Sequence, residues 1–379
     1  MKPTLLSLLL LMLCCTERLS AQENQAFKKA PKVINEPGNF YKYAEQSRKF
    51  SGIPSITVTT NGTLWATWYA GMTSGEDANN YVVLASSKDQ GVTWKEILVV
   101  DPDEKGPVRA YDPEIWIDPT GKLWLFWAQT IGLEGSVAGV WAMTANDPDA
   151  ENPVWTSAKR LSDGIMMCKP TVLSTGEWLL PVSTWRLTDE SAKVVVSTDK
   201  GATWTVKGAC NVPEADREFD EHMLVERNDG SLWMLLRTRY GIAESFSKDK
   251  GRSWSAAKPS ALVHTSSRFF IRRLNSGNLL LLKHGPIAVK TGRSHLMAFL
   301  SKDDGKTWSR GLLIDERAGV SYPDAQQAID GRIYLTYDYN RTVDQQIIMT
   351  VFTEADVLSE NYDASLVKVF NERKIISKK

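Results

Sequence analysis

Six times along the chain an apolar stretch halts at a small or polar residue, turns at a glycine and resumes as an apolar-aromatic run. The copies read "NGTLWATWYAG", "TGKLWLFWAQ", "TGEWLLPVSTW", "DGSLWMLLRT", "SGNLLLLKHG" and "DGRIYLTYDY". Their turn glycines are Gly62, Gly121, Gly176, Gly230, Gly277 and Gly331, spaced by 59, 55, 54, 47 and 54 residues. Glycine after a polar residue, flanked by β-branched, leucine and aromatic residues, predicts a tight hairpin between two strands. Recurrence near fifty residues means a solenoid or propeller, and few long helical patterns intervene.

A second pattern follows the first: "SKDQGVTW" from Ser87, "STDKGATW" from Ser197, "SKDKGRSW" from Ser247 and "SKDDGKTW" from Ser301. "MTANDPDAENPVW", residues 143–155, fits as an eroded fifth copy. Serine or threonine and aspartate bond nearby backbone, glycine makes the bend and tryptophan plugs the sheet, so these copies are scaffolding rather than active site.

In a propeller the hairpin glycines mark one face of the ring, so residues that begin the first strand and end the second lie on the other. Nine positions before the turn glycine stand Asp112, Glu221, Arg268 and Tyr322; seven after it stand Arg237, His284 and Asp338. Radial symmetry would gather this set around a central channel, where propellers bind ligands. Blade three adds Lys169, slightly out of step, with Trp185 and Arg186 at the rim. Loops between second and third strands open on the same face. The longest early one, "GMTSGEDANN", carries Glu76 and Asp77. A rim salt bridge is the expected role of Glu76 and Arg186, and a structural one that of His222.

Composition narrows the partners. Among 379 residues, 45 Lys and Arg balance 45 Asp and Glu with no basic block, so nothing points to nucleic acid or an anionic membrane. Residues 1–21 combine Lys2, an apolar run and small residues before Gln22, the pattern of a secretory signal cleaved after Ala21. Export to the periplasm or outside the cell is therefore expected, and no later segment is apolar for long enough to span a bilayer. The mature chain keeps Cys168 and Cys210, which pair or stay as free thiols; no zinc spacing is present.

The S-x-D-x-G-x-[TS]-W motif is the Asp-box, and with six blades the chain resembles the sialidase superfamily of six-bladed β-propellers over roughly residues 45–356. The resemblance implies an all-β fold: a six-bladed β-propeller with Asp-box turns over 45–379, after an N-terminal extension at 22–44. It also implies roles. Asp77 corresponds to the acid and base, Glu221 to the base that activates the nucleophile, Tyr322 to the nucleophile, and Arg237 and Arg293 to a carboxylate clamp. A tyrosine deprotonated by glutamate suits a substrate whose anomeric carbon bears a carboxylate, because an anionic nucleophile would be repelled. The implied protein is an exported, exo-acting, retaining hydrolase of sialoglycoconjugates or related glycans that needs neither cofactor nor metal. The same fold also serves hydrolases or lyases of rhamnose-, uronate- or ulosonate-containing polysaccharides, and non-catalytic carbohydrate-binding modules.

One position departs from the family. Its first blade opens with an arginine before Ile-Pro, and here the tripeptide is Gly52-Ile53-Pro54. Arg268, at the site-facing offset of blade five, is the expected replacement for the lost guanidinium; otherwise the pocket is built for a different sugar acid or a neutral deoxysugar. At the C-terminal end "EADVLSE" reads as a helical turn and "SLVKVF" as a final strand. The last blade is closed by that strand or by residues near Phe40 to Tyr43.

Overall fold

The computed structural model describes residues 25–36, 41–133 and 137–378, so the expected signal segment lies outside the described residues. Six small antiparallel sheets follow one another in sequence around a common axis. Each begins with an inner strand: β1 (Phe50–Val58), β2 (Val108–Ile117), the short pieces Ile165–Met166 and Thr171–Val172 in blade three, then β3 (Asp220–Glu226), β4 (Phe270–Arg273) and β5 (Val320–Gln327). This is the six-bladed β-propeller that the repeats imply.

The hairpin turns work as the dipeptides require. Gly62 has φ of 90° with open space where a Cβ would lie, so glycine serves the backbone conformation there. In the Asp-box, the Ser87 hydroxyl donates to Asp89 Oδ1 (2.8 Å) and accepts from Gly91 N–H (2.9 Å), and Thr93 N–H donates to Asp89 (2.9 Å). The same bonds recur around Asp199, Asp249 and Asp303. Bonds from the nearby Thr93 hydroxyl and amide hold the exposed Asp89 carboxyl down at about 2. Trp124 of blade two and Trp233 of blade four pack against the box glycines Gly201 and Gly305 of the following blade, where a Cβ would come within 2.7 Å and 2.6 Å of the ring.

Among the described residues no strand is shared between the first and last blades. The chain instead adds Lys32–Asn35 as a fifth, outermost strand of blade one, paired with Lys95–Asp101, and closes blade six with Lys374–Ser377 on Gln346–Phe352. "SLVKVF" is therefore not the closing strand but part of a helix, Tyr362–Asn371. Six residues of alternating character fit either period. Here Leu366, Val369 and Phe370, spaced i, i+3, i+4, face the core while Val367 is exposed, and Asn361 caps the N-terminus through Ala364 N–H. "EADVLSE" does contain a helical turn, Glu354–Leu358, begun by a Thr353–Asp356 capping box.

Polar contacts join blade six to blade one. Asp324 Oδ2 accepts from Ile56 N–H and from the Ser55 hydroxyl (2.8 Å each), Asp338 Oδ2 accepts from Ile53 N–H (2.8 Å), and Ser51 N–H donates to Arg341 O (3.0 Å). Cys168 and Cys210 are both buried and unpaired.

Candidate active site

Four inner strands carry the same irregularity. Register slips between Gly52 and Ser55, Tyr111 and Glu114, Asp220 and Met223, and Ser321 and Asp324. Inside each slip sits a non-glycine residue with positive φ: Ile53 (57°), Asp112 (48°), Glu221 (40°) and Tyr322 (53°). All four stand nine positions before their turn glycine, so the spacing visible in the sequence is the spacing of a β-bulge. Bulges re-aim side chains, and left-handed backbone on a β-branched residue such as Ile53 persists only where surroundings enforce it. Asp338 does so by accepting the Ile53 amide; proline follows the bulged residue in blades one, two and six.

Three of the expected catalytic and binding residues meet. Tyr322 Oη donates to Glu221 Oε1 at 3.3 Å, while Arg237 Nη1 donates to the same carboxylate oxygen (2.6 Å) and to the phenol oxygen (3.1 Å). All three side chains are buried. Burial, then the neighbouring Glu221 charge, raises the Tyr322 phenol above its ordinary range, so at rest it keeps its proton. Glu221 Oε2 is buried with no partner among the described residues. Arg293 places its guanidinium carbon 5.3 Å from the Tyr322 ring centroid and its side chain makes no hydrogen bond among the described residues.

Asp112 is 3% exposed, with its carboxyl raised well above the ordinary range by burial and then by Glu76. Asp77 behaves oppositely. Burial pulls its carboxyl up, but the Thr73 hydroxyl (2.5 Å) and the Asn79 amide (2.8 Å) outweigh that and hold it below the usual value. Its oxygens are turned into their own loop, whereas adjacent Glu76 reaches Arg341 (3.5 Å) and Arg109 (3.9 Å).

Four expected ligand-binding residues are built into the scaffold instead. Arg268 does not replace a guanidinium at Gly52: Nη1 donates to Met167 O (2.6 Å) and Glu114 (3.1 Å), and Nη2 to Pro54 O (3.0 Å), Tyr322 O (3.2 Å) and Pro323 O (3.3 Å). Blade five has no positive-φ residue at this offset, and the side chain ties together groups of blades one, two, three and six. Lys169 lies in the same buried cluster, bonded to Asp324 (2.6 Å), the Ser55 hydroxyl (2.8 Å) and Ile115 O (2.9 Å). His284 is fully buried, pairing with His264 (3.1 Å) and Val320 O (2.9 Å), and burial lowers its imidazole to about 4. Asp338 is occupied by Ile53 N–H and by the Ser321 hydroxyl (2.6 Å).

Two arginines near these groups were not foreseen. Arg341, in the loop after the second strand of blade six, sets its guanidinium carbon 5.0 Å from the Tyr322 ring centroid. Its one signal in the sequence is membership of a loop that opens on the site face. Arg109 is fully buried on the faces of Tyr111 (4.0 Å) and Tyr69 (5.8 Å), and none of its three nitrogens has a hydrogen-bond partner among the described residues. A pocket of about 350 Å³ opens here, lined among others by Phe50, Ser74, Glu76, Arg293, Ser321 and Arg341. No group of three or more His, Cys, Asp or Glu among the described residues could hold a metal ion.

The fold is a six-bladed propeller like that of sialidases, and it holds a buried tyrosine–glutamate pair bridged by Arg237. The chain belongs to the BNR repeat-like domain family, which matches residues 62–335. It is similar to the intramolecular trans-sialidase of Ruminococcus gnavus, solved with oseltamivir carboxylate, at TM-score 0.67 and 15% identity, covering 85% of this chain and 98% of that one. The Hadza microbial sialidase Hz136 aligns at TM-score 0.66 and 17% identity over 86% of this chain and 69% of that one. A Dyadobacter fermentans protein of unknown function aligns at 0.61 and 17% over 83% and 94%. At these identities the likeness is one of fold. No curated protein matches the chain. No helix among the described residues is long and apolar enough to cross a membrane.

Proposed function

We propose that the protein is an exo-acting, retaining glycoside hydrolase of sialidase type, exported by its N-terminal segment and acting on glycans that end in a carboxylate-bearing sugar. The observation that carries this reading is the chain of bonds from Tyr322 Oη to Glu221, with Arg237 bridging both. A phenol whose proton already points at a carboxylate can attack the anomeric carbon as that proton moves to Glu221, and the adjacent guanidinium stabilises the developing phenolate. Asp77 protonates the departing glycosidic oxygen, leaving the anomeric carbon bonded to Tyr322 Oη as an aryl glycoside. In the second step Asp77 takes a proton from water, the hydroxide adds to the anomeric carbon, the bond to Tyr322 breaks and Glu221 returns the proton to the phenol. Two inversions give net retention. Arg237 and Arg293 hold the substrate carboxylate, and Asp112, whose carboxyl burial shifts toward the protonated form, donates to a sugar oxygen.

Sialidases and a trans-sialidase of the same fold, one with a carboxylate inhibitor bound, support the substrate class. The test is release of 4-methylumbelliferone from its N-acetylneuraminic acid glycoside. Tyr322→Phe removes the nucleophilic oxygen while keeping the ring, and turnover should fall by at least about 10³-fold with an unchanged melting temperature. A Tyr322→Phe protein that keeps wild-type turnover, or a folded wild type that releases no acidic sugar from any glycoside, sinks the reading.

A further inference from the structure

We infer that Arg341 is the third guanidinium of the carboxylate site, supplied from blade six into the space that Gly52 leaves empty in blade one. The inference rests on the glycosidase reading and names the residue that completes its clamp.

The argument starts from why residue 52 is glycine. Its backbone is not left-handed, and it pairs across the sheet with Tyr69 as any strand residue would, so no turn or positive φ demands glycine. What demands it is a side chain. A Cβ at Gly52 would stand 2.3 Å from Arg341 Cδ, 2.7 Å from Arg341 Cγ and 3.1 Å from Asp338 Oδ2. Any larger residue, an arginine above all, and the present course of Arg341 exclude each other. The Arg341 backbone is fixed at this height because its carbonyl accepts from Ser51 N–H at 3.0 Å.

The guanidinium so delivered joins the other two. Arg341 and Arg293 lie 5.0 Å and 5.3 Å from the Tyr322 ring centroid, and Arg237 bonds the phenol oxygen. Arg268 is also near that ring, at 5.4 Å, but its bonds to backbone carbonyls and Glu114 consume it. Arg341, by contrast, has only loose polar contacts, 3.5 Å to Glu76 and 3.9 Å to Asp338. Its donors and those of Arg293 border the same open pocket. Guanidinium groups with unfilled donors around one cavity fit a planar anion, and two or three forks converging on it fit a carboxylate.

The experiment uses the full chain and 2-deoxy-2,3-didehydro-N-acetylneuraminic acid as probe, with binding followed by calorimetry. Arg341→Ala should weaken binding about 10- to 100-fold, and the double variant Gly52→Arg with Arg341→Ala should recover most of the loss, because the arginine then enters from blade one. Probe binding by wild type that Arg341→Ala leaves unchanged overturns the assignment while leaving the glycosidase reading intact. A wild type that binds no acidic sugar overturns that reading, and the assignment with it, before any substitution is made. Thermal unfolding without ligand tests the packing separately. Gly52→Ala should lower the melting temperature in the wild-type background and be tolerated beside Arg341→Ala; equal effects in both backgrounds overturn the claim that Arg341 is what keeps residue 52 glycine.

Discussion

Two charged clusters join residues of several blades, and both draw on the starts of inner strands. One joins Glu114, Asp324, Lys169 and Arg268, all buried, and satisfies nearly every group: Ser55 alone bonds Glu114, Asp324 and Lys169. The other joins Tyr322, Glu221, Arg237, Arg293 and Arg341; among the described residues it leaves Glu221 Oε2 without a partner and the Arg341 guanidinium with polar contacts no shorter than 3.5 Å. Residue type and offset do not separate the two. Saturation does, because a buried charge whose bonds are filled ties strands together, whereas one held with unfilled bonds at an open pocket is available to a ligand.

Removing Arg268 should show the strongest contrast. Arg268→Met strands Glu114 and four backbone carbonyls of blades one, three and six, so unfolding free energy should drop by about 3–5 kcal/mol in chemical denaturation. Tyr322→Phe should leave stability unchanged while abolishing turnover. If Arg268→Met were as stable as wild type, the division into a tie and a site would be wrong.

Next in size is the acid. Since the Thr73 and Asn79 bonds hold the Asp77 carboxyl below the usual range, its protonated form exists only at acidic pH. Activity should therefore be present at low pH and fall as pH rises through that depressed value. Asp77→Asn should lower kcat/KM by about 10²-fold and remove this descending limb. A limb that survives in Asp77→Asn, but vanishes in Glu76→Gln, would move the role one residue along the loop.

The smallest effect sharpens the cost of leaving a site unsaturated. Burial raises the Asp112 carboxyl above its unfolded value, so its folded-state stability is greatest below the unfolded value and is lost as pH rises through the folded one. At pH 7, Asp112→Asn should raise the melting temperature by about 1–3 °C, a gain that disappears near about pH 4. It should weaken probe binding at the same time. An unchanged melting temperature at both values would mean that the burial of Asp112 is compensated.

The offset of nine residues before each turn glycine was legible, and so were the residues that occupy it. What those positions have in common is a bulge, and the four bulged ones include Asp112, Glu221 and Tyr322. Arg268 shares the offset without the bulge, which no local pattern announced. His284 and Asp338 share the other offset, but their strand ends are covered by Val320 and by the Ile53 amide of neighbouring blades. Arg341 was invisible because the cause of its position is a missing side chain 289 residues away.

Repeats, turn glycines and Asp-boxes determined the number of blades, the strands and the face that carries the chemistry, because each depends on bonds made within a few residues. Tertiary structure decided which charged groups are bonded and which have few bonds, and that the side-chain stem of an arginine from the last blade fills the hollow at Gly52 in the first. Those outcomes depend on contacts between blades across the ring, where one residue's bulk or absence sets the path of another far along the chain.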